Sequence, residues 1–210
     1  PISALGIALL SIHSVEGAIF LGLGDLPGGS AGASNPDGIF SQAYGVSANG
    51  SVVVGRSISA DSSPSSSEAF VWTPAGGIVG LGFMPGGTGS VFSEAYGVSA
   101  NGSVIIGVSQ SRPGVSLGQE AFRWTVGEGM VGLGSLNTNQ GSKAVGVSAN
   151  GAVIVGRSHN GSNNEGFRWA SGAMTGLGDL PGWTFSSVVD GFNSISANGS
   201  VIVGNSFSDH

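Results

Sequence analysis

One phrase recurs four times along this chain and constrains its fold more than any other feature. YGVSANGSVVVG at 44–55 returns as YGVSANGSVIIG at 96–107, VGVSANGAVIVG at 145–156 and NSISANGSVIVG at 193–204. The four SANG sequences start 52, 49 and 48 residues apart. A period near 50 residues is typical of repeat proteins, in which each unit packs against its neighbours.

Each repeat contains the signals of two β-hairpins. In the first repeat, Gln42–Ser47 leads into an Ala-Asn-Gly turn and Ser51–Ser57 returns. Asn-Gly is a strong hairpin signal because short hairpin loops require positive φ angles. In the second hairpin, Glu68–Thr73 turns through Pro-Ala-Gly-Gly into Ile78–Gly82. Four strands in a repeat of about 50 residues match one blade of a β-propeller.

The predicted fold class is therefore all-β, a β-propeller-like array of about four four-stranded antiparallel blades. Runs such as Val52–Val54 do not alternate with polar residues, which indicates strands covered on both faces. The glycine after each run, Gly55 in the first repeat, is expected to permit a bend or a close backbone approach. Two arrangements of the blades are compatible with the sequence. In one, Ala18–Asp25 and the last hairpin together complete a closed four-bladed ring. In the other, the chain is an arc of a larger propeller.

Composition limits the classes of partner and chemistry. The chain has 210 residues with a net charge of −6, and its six Lys and Arg residues are too few for the basic surface that nucleic acid or an anionic membrane requires. The absence of cysteine excludes disulfide frameworks, cysteine zinc sites and thiol chemistry. We expect neither a nucleic-acid partner nor a transmembrane segment, because the one apolar stretch is too short to span a bilayer.

That apolar stretch, residues 3–12, is followed by small and polar residues, a pattern typical of secretion signals. We interpret residues 1–17 as the remnant of a signal peptide; the alternative is a first core strand. Residues 18–210 then form the repeat domain, which we expect to be secreted and extracellular or at the cell surface.

Several motifs, taken in order, resemble the HAF family of bacterial extracellular repeats. They are LGDLPGG at 23–29, AYGVSANGSVVVG at 43–55, EAFRWT at 120–125 and GMVGLG at 129–134. The resemblance extends from about Ala18 to Gly204 and implies an extracellular repeat domain without an established activity. The His-Ala-Phe tripeptide that names the family reads Glu-Ala-Phe or Glu-Gly-Phe here, which argues against a role for the family histidine.

Aromatic pairs are the first candidates for ligand contact. The Phe-x-Trp motifs place two aromatic rings on one face of a strand, at Phe70 and Trp72, Phe122 and Trp124, and Phe167 and Trp169. Core packing between blades is favoured over sugar stacking because the pairs repeat. Trp183 lies outside the repeat pattern and is the better candidate for an exposed aromatic contact.

Residue types that support catalysis or metal binding are sparse. The spacing of Glu68, Glu120 and Glu165 is compatible with glycoside hydrolysis, but their equivalent positions favour a structural or rim role. Asp25 and Asp179 share the phrase GLGDLPG, and no calcium loop is present. The three histidines are His13, His159 and His210. The sequence predicts no catalytic residue, no metal ligand and no cofactor site, and it leaves the ligand-binding residues unassigned.

The leading functional hypothesis is a secreted, non-catalytic repeat domain that serves as a binding or cell-surface structural module. A carbohydrate-binding or glycan-active propeller is the first alternative. The second is a self-assembling extracellular subunit joined by strand complementation, in which the partner is another copy of the chain. The identity of the ligand or partner, the oligomeric state and any anchoring segment are not predictable from these residues.

Overall fold

A computed structural model describes residues 21–28, 40–61, 66–85, 92–110, 118–138, 140–178, 185–188 and 194–207. Regular secondary structure within these ranges consists of strands alone, so the all-β prediction is confirmed. The strands are β1 Ser41–Val46, β2 Val53–Ser57, β3 Glu68–Thr73, β4 Gly77–Gly80, β5 Ser93–Val98, β6 Ile105–Gln110, β7 Gln119–Thr125, β8 Gly129–Gly132, β9 Ser142–Val147, β10 Val153–His159, β11 Asn164–Ala170, β12 Ala173–Gly176, β13 Phe185–Val188 and β14 Gly204–Phe207.

The strands form three four-stranded antiparallel sheets and one two-stranded sheet, each built from consecutive strands. Sheet 1 has the order β1-β2-β3-β4, sheet 2 β5-β6-β7-β8 and sheet 3 β9-β10-β11-β12, while β13 and β14 form sheet 4. The first strands β1, β5 and β9 are neighbours in space. This arrangement is β-propeller-like. The predicted signal remnant at 1–17 lies outside the described residues.

The SANG hairpins form as predicted, but through different turn chemistry. In sheet 1 the amide of Gly50 donates to the carbonyl of Ser47 at 2.9 Å, and Gly50 alone in the turn has a positive φ, of 71°. Asn49 contributes its side chain instead, since its Oδ1 accepts from the amide of Ser51 at 3.1 Å and from the hydroxyl of Ser47 at 2.8 Å. The turn is therefore a β-turn that ends in a left-handed glycine, within a four-residue loop between Ser47 and Val52.

In sheets 1 to 3, the glycine after the Val/Ile run lies against a β-bulge in the first strand. In sheet 2 the register shifts between Ala95 and Gly97. A Cβ on Gly107 would lie 1.9 Å from the carbonyl oxygen of Glu94, and Gly55 and Gly156 meet equivalent carbonyls at 2.0 Å. The predicted close backbone approach is confirmed.

Each interface between sheets has an apolar core. Phe122 is fully buried and belongs to a cluster that joins Val54 of sheet 1 to Ile105 of sheet 2. Phe167 has the same place in the cluster that joins Val104 of sheet 2 to sheet 3. The residues of the Val/Ile runs in sheets 2 and 3 are all buried, which confirms that these strands are covered on both faces. In the run Val52–Val54 only Val54 is buried, and Val201 and Val203 are exposed, so the prediction fails for the first and last runs, which have a neighbouring sheet on one side alone.

Buried serines connect each sheet to the segment that precedes it. The Ser93 hydroxyl donates to the carbonyl of Gly82 at 2.7 Å and accepts from the amide of Ala69 at 2.9 Å. The Ser109 hydroxyl accepts from the amide of Met84 at 3.1 Å. Ser142 and Ser158 make matching bonds in sheet 3. These bonds satisfy backbone groups that would otherwise be buried without partners.

Candidate functional site

Residues of all four repeats line a shared groove, which we call the axial groove. It has a volume of about 380 Å³, within the range of ligand-binding pockets. Its lining comes from the same positions in each repeat: Tyr44–Val46 and Ala48, Tyr96–Val98 and Ala100, Val145–Val147 and Ala149, and Ile195 with Ala197. Valine, isoleucine and alanine side chains make the end near the SANG turns apolar, and the tyrosines mark the other end.

Tyr44 and Tyr96 form an aromatic pair at this second end. Their ring centroids are 5.5 Å apart and the rings are tilted by 37°. The Tyr44 hydroxyl donates to Oε1 of Gln42 at 2.9 Å, and the Tyr96 hydroxyl donates to Oε2 of Glu94. The Nζ of Lys143 lies 4.2 Å from the Tyr96 ring centroid, a cation–π geometry.

Charged residues adjoin the aromatic pair. Arg56 forms an ion pair with Glu94, and its guanidinium lies 5.8 Å from the Tyr44 ring centroid. Arg157 pairs in register with Lys143, and both line a smaller pocket of about 140 Å³ together with Gln119 and Asn164. We call Arg56, Glu94, Tyr96, Lys143 and Arg157 the polar cluster. Three of the six Lys and Arg residues of the chain belong to it.

One donor in the polar cluster is unsatisfied. The Nε of Arg56 is buried and makes no hydrogen bond. An unpartnered buried donor costs roughly 1–3 kcal/mol and therefore calls for an acceptor.

The environment of the tyrosines changes their acidity. Burial raises the pKa of Tyr96 far above its ordinary value, and the hydrogen bond to Glu94 and the negative charge of that carboxylate act in the same direction. Burial likewise raises the pKa of Tyr44, although the charge of Arg56 opposes the shift. Both phenols thus favour the neutral form when the protein is folded.

We expect a titration of phenolate absorbance in the folded protein to show midpoints above pH 10. The chain has only two tyrosines, so the signal reports Tyr44 and Tyr96 alone. Because the folded pKa values are raised, their contribution to stability is present below pH ~10 and is lost as pH rises through the folded pKa values. Unfolding in urea should return both midpoints to about 10. Folded-state midpoints near 10 would contradict the burial of these phenols.

The three repeated glutamates have structural roles, as their symmetry predicted. Each accepts a hydrogen bond at Oε1 from a backbone amide in the GLG segment that follows its hairpin. The pairs are Glu68 with Gly82, Glu120 with Gly134 and Glu165 with Gly178, each at 2.9 Å. These glycines have positive φ angles. The outer strands β4, β8 and β12 end two residues before them, whereas the sequence predicted strands that extend to the glycines themselves.

The other sequence candidates are dispersed. Phe70, Phe122 and Phe167 are buried, which confirms core packing for the Phe-x-Trp motifs, and the tryptophans beside them are half-buried. Asp25 is exposed, and Nδ1 of His159 accepts from the amide of Gly161 at 3.1 Å. Trp183, Asp179, His13 and His210 lie outside the described residues. In the described ranges, no three His, Cys, Asp or Glu side chains gather as a metal site.

Sequence reasoning missed the polar cluster, although the repeats contain a signal for it. Most positions agree from repeat to repeat, but the position of Gln42 is Glu94 and Lys143 in the next two repeats. The position of Arg56 is Val108 in the second repeat. Positions that differ between otherwise similar repeats are the ones that scaffold packing does not fix.

Comparison with protein-family profiles and with curated proteins gives no match. Among solved structures, the chain is similar to a putative TolB from Agrobacterium tumefaciens, with 14% identity and a TM-score of 0.50 over 81% of this chain and 60% of that one. It also matches the TolB crystal structure from Acinetobacter baumannii, with 17% identity and a TM-score of 0.45 over 68% of this chain and 33% of that one. At these identities, the first likeness concerns the fold alone. No helix long and apolar enough to cross a membrane occurs in the described part of the chain.

Proposed function

We propose that this chain is a secreted, non-catalytic repeat domain that acts as a binding module, with its ligand at the polar end of the axial groove. The observation that supports this proposal is that the residues that stabilise the sheets differ from the residues of the polar cluster. Repeated glutamates and serines bond to the backbone, whereas the polar residues that differ between repeats gather beside Tyr44 and Tyr96. The order of motifs shared with HAF extracellular repeats supports the secreted location.

The chemistry of the polar cluster favours a ligand that contains a carboxylate. Arg56, Lys143 and Arg157 contribute three cationic side chains to the cluster, and Arg56 forms an ion pair with Glu94. Cationic side chains make short, charge-assisted hydrogen bonds to carboxylates. The adjacent tyrosine rings and apolar groove wall suit the remainder of such a ligand. If the part of the ligand beyond its carboxylate is a sugar, the carbohydrate-binding alternative applies.

The substitution Lys143→Gln tests this proposal, because it places in the third repeat the residue type that Gln42 has in the first. Titration calorimetry on the full chain would compare an oligouronate, an oligoglutamate and a neutral oligosaccharide of similar length. We expect at least one of the two carboxylate-bearing probes to bind. Lys143→Gln should then weaken that binding about tenfold, equivalent to ~1.4 kcal/mol for a charge-assisted bond.

Arg168→Gln is the matched control, since it removes one positive charge from an exposed position of β11 in the same sheet. It should leave the affinity unchanged within about twofold. Equal weakening by both substitutions would indicate unspecific attraction, and no binding of either acidic probe would contradict the proposal. Binding of the oligouronate alone would identify the sugar alternative, and binding of the oligoglutamate alone would favour an acidic peptide.

We further propose that the repeats form an open arc and not a closed four-bladed ring. Among the described residues, no strand joins sheet 4 to sheet 1. Val46 in sheet 1 and Val201 beside sheet 4 are both more than half exposed, whereas a closed ring would bury them against each other.

A further inference from the structure

The two ends of the arc expose positions that the inner repeats bury. Val203 is 52% exposed, although the equivalent residues Val54, Ile106 and Val155 are fully buried. Val201 is 58% exposed, while its equivalents Val104 and Val153 are buried. At the other end Val46 is 61% exposed, whereas its equivalents Val98 and Val147 pack against the sheet before them. We call Val201 and Val203 the trailing face, and Val46 with Gly50 the leading face.

The glycine of each SANG turn shows how a leading face meets a trailing face. An added Cβ on Gly102, Gly151 or Gly199 would lie 2.4 to 2.8 Å from the valine that opens the Val/Ile run of the preceding repeat. The same Cβ on Gly50 would have no atom within 4 Å. In the inner interfaces, each of these glycines leaves room for a valine of the preceding repeat. Gly50 on the leading face leaves the same room but has no valine in it. Val201 on the trailing face is the equivalent valine, and no glycine packs against it.

Backbone hydrogen bonds between repeats extend the same pattern. The amide of Ala48 donates to the carbonyl of Ala100, the amide of Ala100 to Ala149, and the amide of Ala149 to Ala197, at 2.9 to 3.1 Å. This ladder has an acceptor, the carbonyl of Ala48, at its leading end and a donor, the amide of Ala197, at its trailing end. One further contact of the same kind would join the two.

We propose that the trailing face of one molecule docks on the leading face of a second copy of this chain. The contact repeats the interface between neighbouring sheets: Val201 packs on Gly50, Val203 lies near Val46, and the amide of Ala197 donates to the carbonyl of Ala48. Such an interface is heterologous, since it joins two different faces. It uses the packing of whole sheets and differs from the strand complementation predicted from the sequence.

The test uses two single-face variants of the full chain, Val46→Asp and Val201→Asp, with mass measured by light scattering over a range of concentrations. The wild-type mass should rise above one chain with concentration, and each variant should associate at least tenfold more weakly with itself. An equimolar mixture should form a two-chain complex, because each variant retains the face that the other has lost. Val126→Asp, at an exposed position in the turn between β7 and β8, should behave as the wild type.

Circular dichroism melting of each variant verifies that both aspartates leave the fold intact, as their exposed positions predict. A wild-type chain that stays at one chain mass at every concentration would overturn the proposal. A mixture that fails to pair, or a Val126→Asp variant that loses association as strongly as the other two, would also overturn it. Val46 also lines the axial groove, whereas Val201 does not, so Val201→Asp is the variant that separates association from ligand binding.

Discussion

Gly107→Ala should lower the free energy of unfolding by more than about 3 kcal/mol, a loss seen only where a substitution meets a specific structural obstacle. An added Cβ would lie 1.9 Å from the carbonyl oxygen of Glu94 and 2.8 Å from Cε1 of Phe122. The first atom belongs to the backbone of the bulge and the second to a fully buried ring, so neither moves without disturbing the core. Chemical denaturation monitored by circular dichroism measures the loss.

Gly127→Ala is the control for this prediction. It makes the same chemical change in the turn between β7 and β8 of the same sheet, where an added Cβ has no atom within 4 Å. We expect its effect to lie within about 0.5 kcal/mol of zero. A loss below about 1 kcal/mol for Gly107→Ala would mean that the bulge relaxes, and that the close approach does not select glycine.

The elements defined by local chemistry were predictable from the sequence. The SANG hairpins require only nearby residues, and Glu68–Thr73 forms a strand with the predicted bounds. The bulge opposite Gly55 could be anticipated because a glycine inside a strand commonly marks a close approach. Strand ends were less accurate. Ile78–Gly82 was expected to be extended throughout, but β4 ends at Gly80 because Gly82 adopts a positive φ and bonds to Glu68.

The polar cluster was not predictable, because its members come from different repeats. Arg56 and Glu94 are 38 residues apart, and their ion pair exists only because sheets 1 and 2 pack face to face. The same packing brings Lys143 from a third sheet over the ring of Tyr96. A composition of six Lys and Arg residues argued against a basic patch; three of them, Arg56, Lys143 and Arg157, lie in the polar cluster.

The repeat thus separates stability from recognition. The glutamate, serine and glycine positions that recur bond to or contact the backbone, so a change at any of them disturbs the sheet. The positions of Gln42, Glu94 and Lys143 tolerate three different side chains in the same fold. A binding site can therefore change at these positions while the packing between sheets is retained.

Phe122→Ala should lower the free energy of unfolding by about 3–5 kcal/mol, the usual loss when a buried phenylalanine is truncated. Phe122 is fully buried in the cluster that contains Val54 of sheet 1 and Ile105 of sheet 2, so the cavity opens between sheets and not inside one. In a repeat protein, neighbouring units are coupled through such interfaces. We therefore also expect sheet 1 to unfold separately in the variant, and hydrogen exchange across denaturant concentrations would detect it.

The control for Phe122→Ala is Val126→Ala, which removes apolar atoms from a side chain that is 88% exposed in the turn after β7. Its effect should stay within about 0.5 kcal/mol of zero. A large loss for Phe122→Ala with one cooperative transition would mean that other contacts, such as those of Ser93 with Gly82 and Ala69, are sufficient to couple sheets 1 and 2. A loss as small as that of the control would mean that contacts within single sheets stabilise the array. It would contradict the role of Phe122 in packing between the sheets.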